Sequence, residues 1–110
     1  MGFWKKPFAP SSSKMLEAAC QGDFGTVTAL LKRKPSLASS RDSKGYTPLH
    51  KAAGNGRKDV AELLLANGAD ANAKACDRRT ALDLATVSRH KGMAALLRRH
   101  GGRQSSDVVR

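Results

Sequence analysis

GYTPLHKAAGNGRKDVAELLLANGADANAK, residues 45 to 74, holds two short helices together with the signals that start and stop them. Thr47 stands before Pro48. In this pairing a hydroxyl caps free backbone N–H groups, and proline, having no N–H to waste, takes the first helical position. Leu49, Ala52 and Ala53 then make a narrow apolar face, and Gly56 supplies the left-handed backbone that ends a helix. Val60, Ala61, Leu63 and Leu64 follow at helical spacing and stop at Gly68. Beyond them Asp70 and Asn72 are turn formers whose side chains bond nearby backbone.

The same pattern recurs downstream. Thr47 pairs with Thr80, Leu49 with Leu82, Ala52 with Ala85, Val60 with Met93, Leu64 with Leu97 and Gly68 with Gly101, each 33 residues apart. Thr80 and Asp83 are spaced as a capping box. Upstream, Val27, Leu30 and Leu31 lie 33 residues before Val60, Leu63 and Leu64, whereas Ala18, Ala19 and Gly22 lie 34 before Ala52, Ala53 and Gly56. The first unit therefore carries one extra residue between its helices, which a loop can absorb. Phe24 is placed with Val27, Leu30 and Leu31 on the apolar face of its second helix. A period of this length marks a unit that cannot bury its own apolar face and is stable only when stacked on neighbours. The reading is one all-α domain over 13–102, with units at about 13–41, 42–74 and 75–102. A flexible arm over 1–12 and a flexible tail over 103–110 flank it.

Composition agrees. The chain has 110 residues, one domain's worth. It is 40% hydrophobic but 5% aromatic, rich in Ala and Leu, a mixture suited to close-packed helices. The net charge of +11 attracts acidic proteins, nucleic acid or an anionic surface. Cys20 and Cys76 have no metal-ligand spacing and form no disulfide framework, which points to a reducing compartment, the cytoplasm. Cys20 is expected buried or half-buried and Cys76 exposed. No stretch approaches the roughly 18 apolar residues of a membrane span, no signal peptide is expected, and Lys6 stands where a myristoylation motif wants Ser or Thr. For Phe3, Trp4 and Phe8 three readings stay open: docking on the terminal helix, disorder, or an anchor for a membrane or partner.

Taken together, TPLHKAA, the glycine stops and the 33-residue echo resemble the ankyrin-repeat family over roughly residues 14–102. The resemblance implies a solenoid of stacked antiparallel helix pairs, with β-hairpin-like loops projecting nearly at right angles. Unit three departs from the pattern at Arg78 for Gly45, Ala81 for Pro48 and Asp83 for His50, and it ends in Arg98, Arg99 and His100. Unit one lacks a TPLH stretch. Both suit end caps that meet water, and three repeats is near the minimum for such a stack.

The family implies a non-enzymatic protein–protein interaction module that binds through loop tips and the inner face of the first helix of each pair. Carried onto this chain, the partner-binding residues are Ser43, Lys44, Tyr46, Gly54 and Asn55 in the second unit. In the third they are Cys76, Asp77, Arg79, Val87 and Ser88. Tyr46 is the expected anchor, and an acidic protein is the expected partner. The resemblance also makes His50 a structural link between neighbouring loops. His90 and His100 lie among cations, a poor setting for a metal, and no serine sits in a nucleophile elbow. No catalytic residue, metal or cofactor is expected, and the chain is expected to be a monomer or to self-associate weakly. The alternative function is weak, non-specific binding of nucleic acid or another polyanionic surface. It would use a stripe formed by Arg57, Lys58, Arg89, Lys91, Arg98, Arg99 and Arg103, if these share a side.

Overall fold

A computed structural model describes residues 12–104. The segments expected to be an arm and a tail therefore lie largely outside the described residues, Phe3, Trp4 and Phe8 among them. Among the described residues six α-helices run in order: α1 (Ser12–Gln21), α2 (Phe24–Arg33), α3 (Pro48–Gly54), α4 (Lys58–Ala66), α5 (Ala81–Val87) and α6 (Lys91–Arg99). No strand occurs among the described residues. A short 3₁₀ helix (Pro35–Ser39), which the sequence reading did not foresee, follows α2 and buries Leu37 and Ala38.

The helices form pairs in two layers. α1, α3 and α5 stack as the inner layer, and α2, α4 and α6 lie behind them as the outer layer. The core runs through all three units, with Met15, Leu30, Leu49, Leu64, Leu82, Met93 and Leu97 fully buried. Ala19, Ala52, Ala53, Ala61 and Ala85 are buried too, and their small side chains let the helices approach closely.

The predicted helix starts are present. Thr47 and Thr80 each accept a hydrogen bond from the backbone N–H three residues on, at 3.2 Å, and His50 and Asp83 accept from the cap residues' own N–H groups. The extra residue of unit one is taken up by a helix, not a loop. The turns Gly22–Asp23 and Gly56–Arg57 correspond, while α2 has 10 residues against 9 in α4 and α6. Asp23 caps α2 through Thr26, and the Thr26 hydroxyl and N–H hold its carboxyl below the ordinary carboxylate range.

Phe24 does not join the apolar face. It opens α2 and remains 46% exposed, because the residue gained at that helix start turns it away from Val27 and the core. Nor is Arg103 the start of a free tail. Its N–H donates to Asn72 Oδ1 at 2.8 Å and its carbonyl accepts from Thr80 Oγ1 at 2.5 Å, while Asn72 Nδ2 donates to Gly101 O at 2.9 Å. Asn72 thus pins the end of unit three, in addition to its turn with Asp70. Unit three also carries two non-glycine residues in left-handed backbone. Arg78 (φ 70°) stands where unit two has Gly45, and Arg89 (φ 64°) where it has Gly56.

Candidate partner-binding surface

Each projecting loop is a tight turn. In the first, Asp42 Oδ1 accepts from the N–H groups of Lys44 and Tyr46, both at 2.9 Å, and the Asp42 N–H donates to Tyr46 O at 3.0 Å. Burial pushes the Asp42 carboxyl up, but the Tyr46 N–H, the Lys51 ammonium 3.1 Å away and the Lys44 N–H outweigh it, so its pKa lies below the ordinary value. The second loop has Ala75 in the place of Asp42 and closes through Ala75 N–H to Arg79 O and Arg78 N–H to Ala75 O. Asp77 Oδ1 adds a bond from the Arg79 N–H at 3.1 Å.

The two loops are also fastened to each other. Cys76 N–H donates to Lys44 O at 2.9 Å, Arg41 donates to Lys74 O at 2.8 Å, and the Tyr46 hydroxyl donates to Asp77 Oδ2 at 2.5 Å. Gly45 permits the approach: a Cβ there would stand 2.8 Å from the Cys76 nitrogen. The Asp77 bond raises the Tyr46 pKa and, reciprocally, lowers that of Asp77. His50 completes the connection from beneath. Its Nδ1 accepts from the Thr47 N–H at 3.1 Å, so the ring proton sits on Nε2 and is donated to Arg79 O at 2.8 Å. Burial holds the His50 pKa below its ordinary value, which keeps this tautomer neutral.

Ser43, Lys44, Cys76, Asp77 and Arg79 are exposed at the loop tips. Cys20 is half-buried and Cys76 exposed, and both thiols are free. Tyr46, the expected anchor, is already engaged within the loops. It is half-buried, with its hydroxyl engaged by Asp77, its ring 5.4 Å from that of His50 and the Lys51 ammonium 5.4 Å from its centroid. Gly54 and Asn55 end α3 and Val87 and Ser88 end α5, at the far ends of the inner helices from the loops.

Lys51 and Leu84, absent from the sequence reading, connect the loops to the helix ends. Lys51 pairs with Asp42, leans over Tyr46 and offers its carbonyl to Asn55 Nδ2 at 2.8 Å. Asn55 Nδ2 also lies 3.4 Å from Cys20 Sγ. Leu84 packs on Gly54, 3.7 Å from where a Cβ would be, and Val87, 70% exposed, follows one turn later. A cleft of about 330 Å³ between α1 and α3 is lined by Leu16, Glu17, Cys20, Gln21, Asp42 and Lys51. The signal for both missed residues was present: Lys51 and Leu84 are 33 apart and lie one turn beyond Thr47 and Thr80.

No group of three His, Cys, Asp or Glu able to hold a metal occurs among the described residues, and no helix there is long and apolar enough to cross a membrane. The stacked helix pairs and bonded loops define a repeat scaffold. The signature described as "Ankyrin repeats (3 copies)" matches residues 15–107, and the chain belongs to the ankyrin-repeat family. It is 48% identical over 61 residues to human Ankyrin repeat domain-containing protein 35, covering 56% of this chain and 6% of that protein. Over 91 residues it is 41% identical to Serine/threonine-protein kinase VIK of Arabidopsis thaliana, covering 83% of this chain and 21% of the relative. Ankyrin repeat domain-containing protein 49 of Bos taurus is 42% identical over 69 residues, covering 63% of this chain and 29% of its own. The chain thus spans less than a third of each of these relatives. As an ankyrin-repeat domain it is, in general class, a protein–protein interaction module.

Proposed function

We propose that the domain binds a protein partner with an acidic surface across the loop tips and the inner helix face. The observation that carries this reading is the mutual fastening of the two loops through Cys76, Arg41, Tyr46 and His50. It presents Ser43, Lys44, Asp77 and Arg79 in a fixed arrangement, so little conformational freedom is lost on binding. Lys44, outside any ion pair among the described residues, gives the surface its preference for carboxylates, with Lys51 and Arg79 beside it already paired to Asp42 and Asp77, and Leu84 with exposed Val87 gives it an apolar patch toward its far edge. Asn55, Gly54 and Ser88 form its far edge, and Tyr46 acts by holding the loops together. Two free thiols fit a reducing, cytoplasmic setting.

The test is affinity capture from a nuclease-treated extract at about 0.15 M salt, where exposed charges act over roughly 8 Å. A specific protein retained by the native chain and lost with Lys44→Glu/Val87→Asp, at unchanged helicity and melting temperature, supports the reading. Equal retention by that variant refutes it.

A further inference from the structure

The repeat places a second feature on the edge opposite the loops, where each outer helix begins. In unit two this edge carries Arg57 and Lys58, and in unit three Arg89, His90 and Lys91. Side-chain packing across the unit boundaries shows that they are contiguous. Arg57 lies over Gly22, where a Cβ would be 2.8 Å from its Cδ, and donates to Cys20 O at 3.2 Å. The His90 ring lies over Gly56 at 2.9 Å from such a Cβ, and Lys58 Nζ reaches to 3.7 Å from one on Gly92. Two open clefts meet the edge, the second leading from it along α6 to Arg98 in the last turn. One of about 320 Å³ is lined by Arg57, Lys58 and Asp59 with Gly22 and Gly56, and one of about 450 Å³ by Arg89, Lys91 and Arg98 over Ala85 and Ala94. Arg103, grouped with these cations in the sequence reading, lies apart, beside Asn72 and Thr80.

Apart from the bond from Arg57 to Cys20 O, folding does not use these cations. None of Arg57, Lys58, Arg89, Lys91 and Arg98 forms an ion pair among the described residues. Lys58 and Lys91 stand in the first turns of α4 and α6, where a cation opposes the helix dipole. Asp59 is the one acidic residue lining either cleft, and Asp23, at the edge's unit-one end, is occupied in capping α2. At that same end stands Phe24, the exposed aromatic ring that left the core. A row of unpaired cations ending in an exposed ring matches a phosphate backbone whose bases are free to stack. A duplex offers no such base, and a membrane surface would be met by more apolar side chains than this edge carries.

We propose that this edge binds single-stranded nucleic acid. Its phosphates lie along Arg57, Lys58, Arg89, Lys91 and Arg98, and one base stacks on Phe24. This surface adjoins the far edge of the partner face at Asn55 and Ser88 but uses different side chains, so the two readings are tested by different variants.

The test is fluorescence anisotropy of a labelled oligothymidine of about 20 nucleotides with the full chain, across a salt series. Engagement of five cations predicts a slope of log K against log salt of roughly −3.5. K58Q/R89Q/K91Q should flatten the slope by about 2 and weaken binding at least tenfold. K32Q/K34Q/K74Q, which removes as much charge elsewhere, should change affinity less than threefold, and Phe24→Ala should weaken binding about fivefold or more. Circular dichroism confirms that each variant is folded. The proposal is overturned if the two triple variants weaken binding equally, if Phe24→Ala has no effect, or if the native chain shows no binding at about 50 mM salt. It is also overturned if a duplex, an anionic lipid vesicle or a poly-glutamate peptide binds the edge more tightly than the oligothymidine.

Discussion

Arg78→Gly and Arg89→Gly should stabilise the protein, although both sites are on the surface and neither side chain makes a hydrogen bond or ion pair among the described residues. Each arginine holds φ near +65 to +70°, at 70° and 64°, where unit two uses glycine. Left-handed backbone costs an L-residue about 1–2 kcal/mol, while glycine forfeits roughly 0.5–1 kcal/mol of unfolded-state freedom, so the net gain is about 0.5–1 kcal/mol per site. The sites flank α5, whose 7 residues span about 10 Å, so the two gains should add to roughly 1–2 kcal/mol. For a domain of this size that corresponds to a rise in melting temperature of roughly 5–10 °C.

Loss of two positive charges from a chain of net charge +11 also relieves repulsion, and the assay must separate that effect. The double alanine variant loses the same charges but keeps a Cβ in left-handed backbone. Urea titration of the native chain, the double glycine variant and the double alanine variant, read by helicity, isolates the strain. Glycine should raise the midpoint above alanine by the full increment with an unchanged m value. If the two variants have the same midpoint, backbone strain at these sites is not what limits unit three.

Other outcomes follow from the same geometry. His50 has a folded pKa below its unfolded value, so the unfolded chain binds the extra proton. Stability is full above about pH 6.5 and falls as pH drops through the folded value; urea midpoints between pH 8 and pH 5 should show this decline, and His50→Gln should remove its share of it. Leu82→Ala deletes a fully buried side chain of the inner layer and should cost about 2–5 kcal/mol, enough to leave much of the chain unfolded by circular dichroism at 37 °C. Gly45→Ala must both strain a φ of 83° and push against the Cys76 nitrogen, so a loss of about 1–3 kcal/mol should appear in thermal melts, with faster amide exchange in both loops. Asn72→Ala frees Gly101 and Arg103 and should cost about 1–2 kcal/mol, with faster exchange of the Arg103 amide.

The stacking and the helix starts were legible because they depend on short-range chemistry that repeats. A hydroxyl at Thr47 and Thr80, a glycine two residues past α3 and apolar residues one turn apart, such as Val60 and Leu64, have the same meaning wherever they occur. Phe24 was misread because one extra residue at a helix start rotates a side chain by about 100°, which apolar character alone does not reveal. Arg103 was misread because its partners, Asn72 and Thr80, are set by stacking and lie far off in sequence. Tyr46 could be identified as prominent, but not as engaged, since its partner Asp77 occupies the position that Lys44 holds in the preceding unit. The loop residues that the family pattern implies were located. Lys51 and Leu84, which join them to the helix ends, follow from the period only once the inner face is known.

Unit three breaks the local rules of the repeat at the two left-handed positions that unit two fills with Gly45 and Gly56, and at both the substitute is arginine. A terminal cap needs polarity, but polarity alone would be met by Asn or Asp, which tolerate left-handed backbone better than arginine does. Arg89 joins Lys91 and Arg98 in the cleft on the outer-helix edge, and Arg78 stands in the loop between Asp77 and Arg79. Each accepts backbone strain to place a cation beside others, which costs stability twice, through conformation and through repulsion. Local rules broken in this way mark positions where a surface requirement outweighs folding. Restoring glycine at position 89 should therefore have opposite effects in two assays: a higher melting temperature, and weaker, less salt-dependent binding of oligothymidine. If both rise together, the arginine serves neither stability nor phosphate binding.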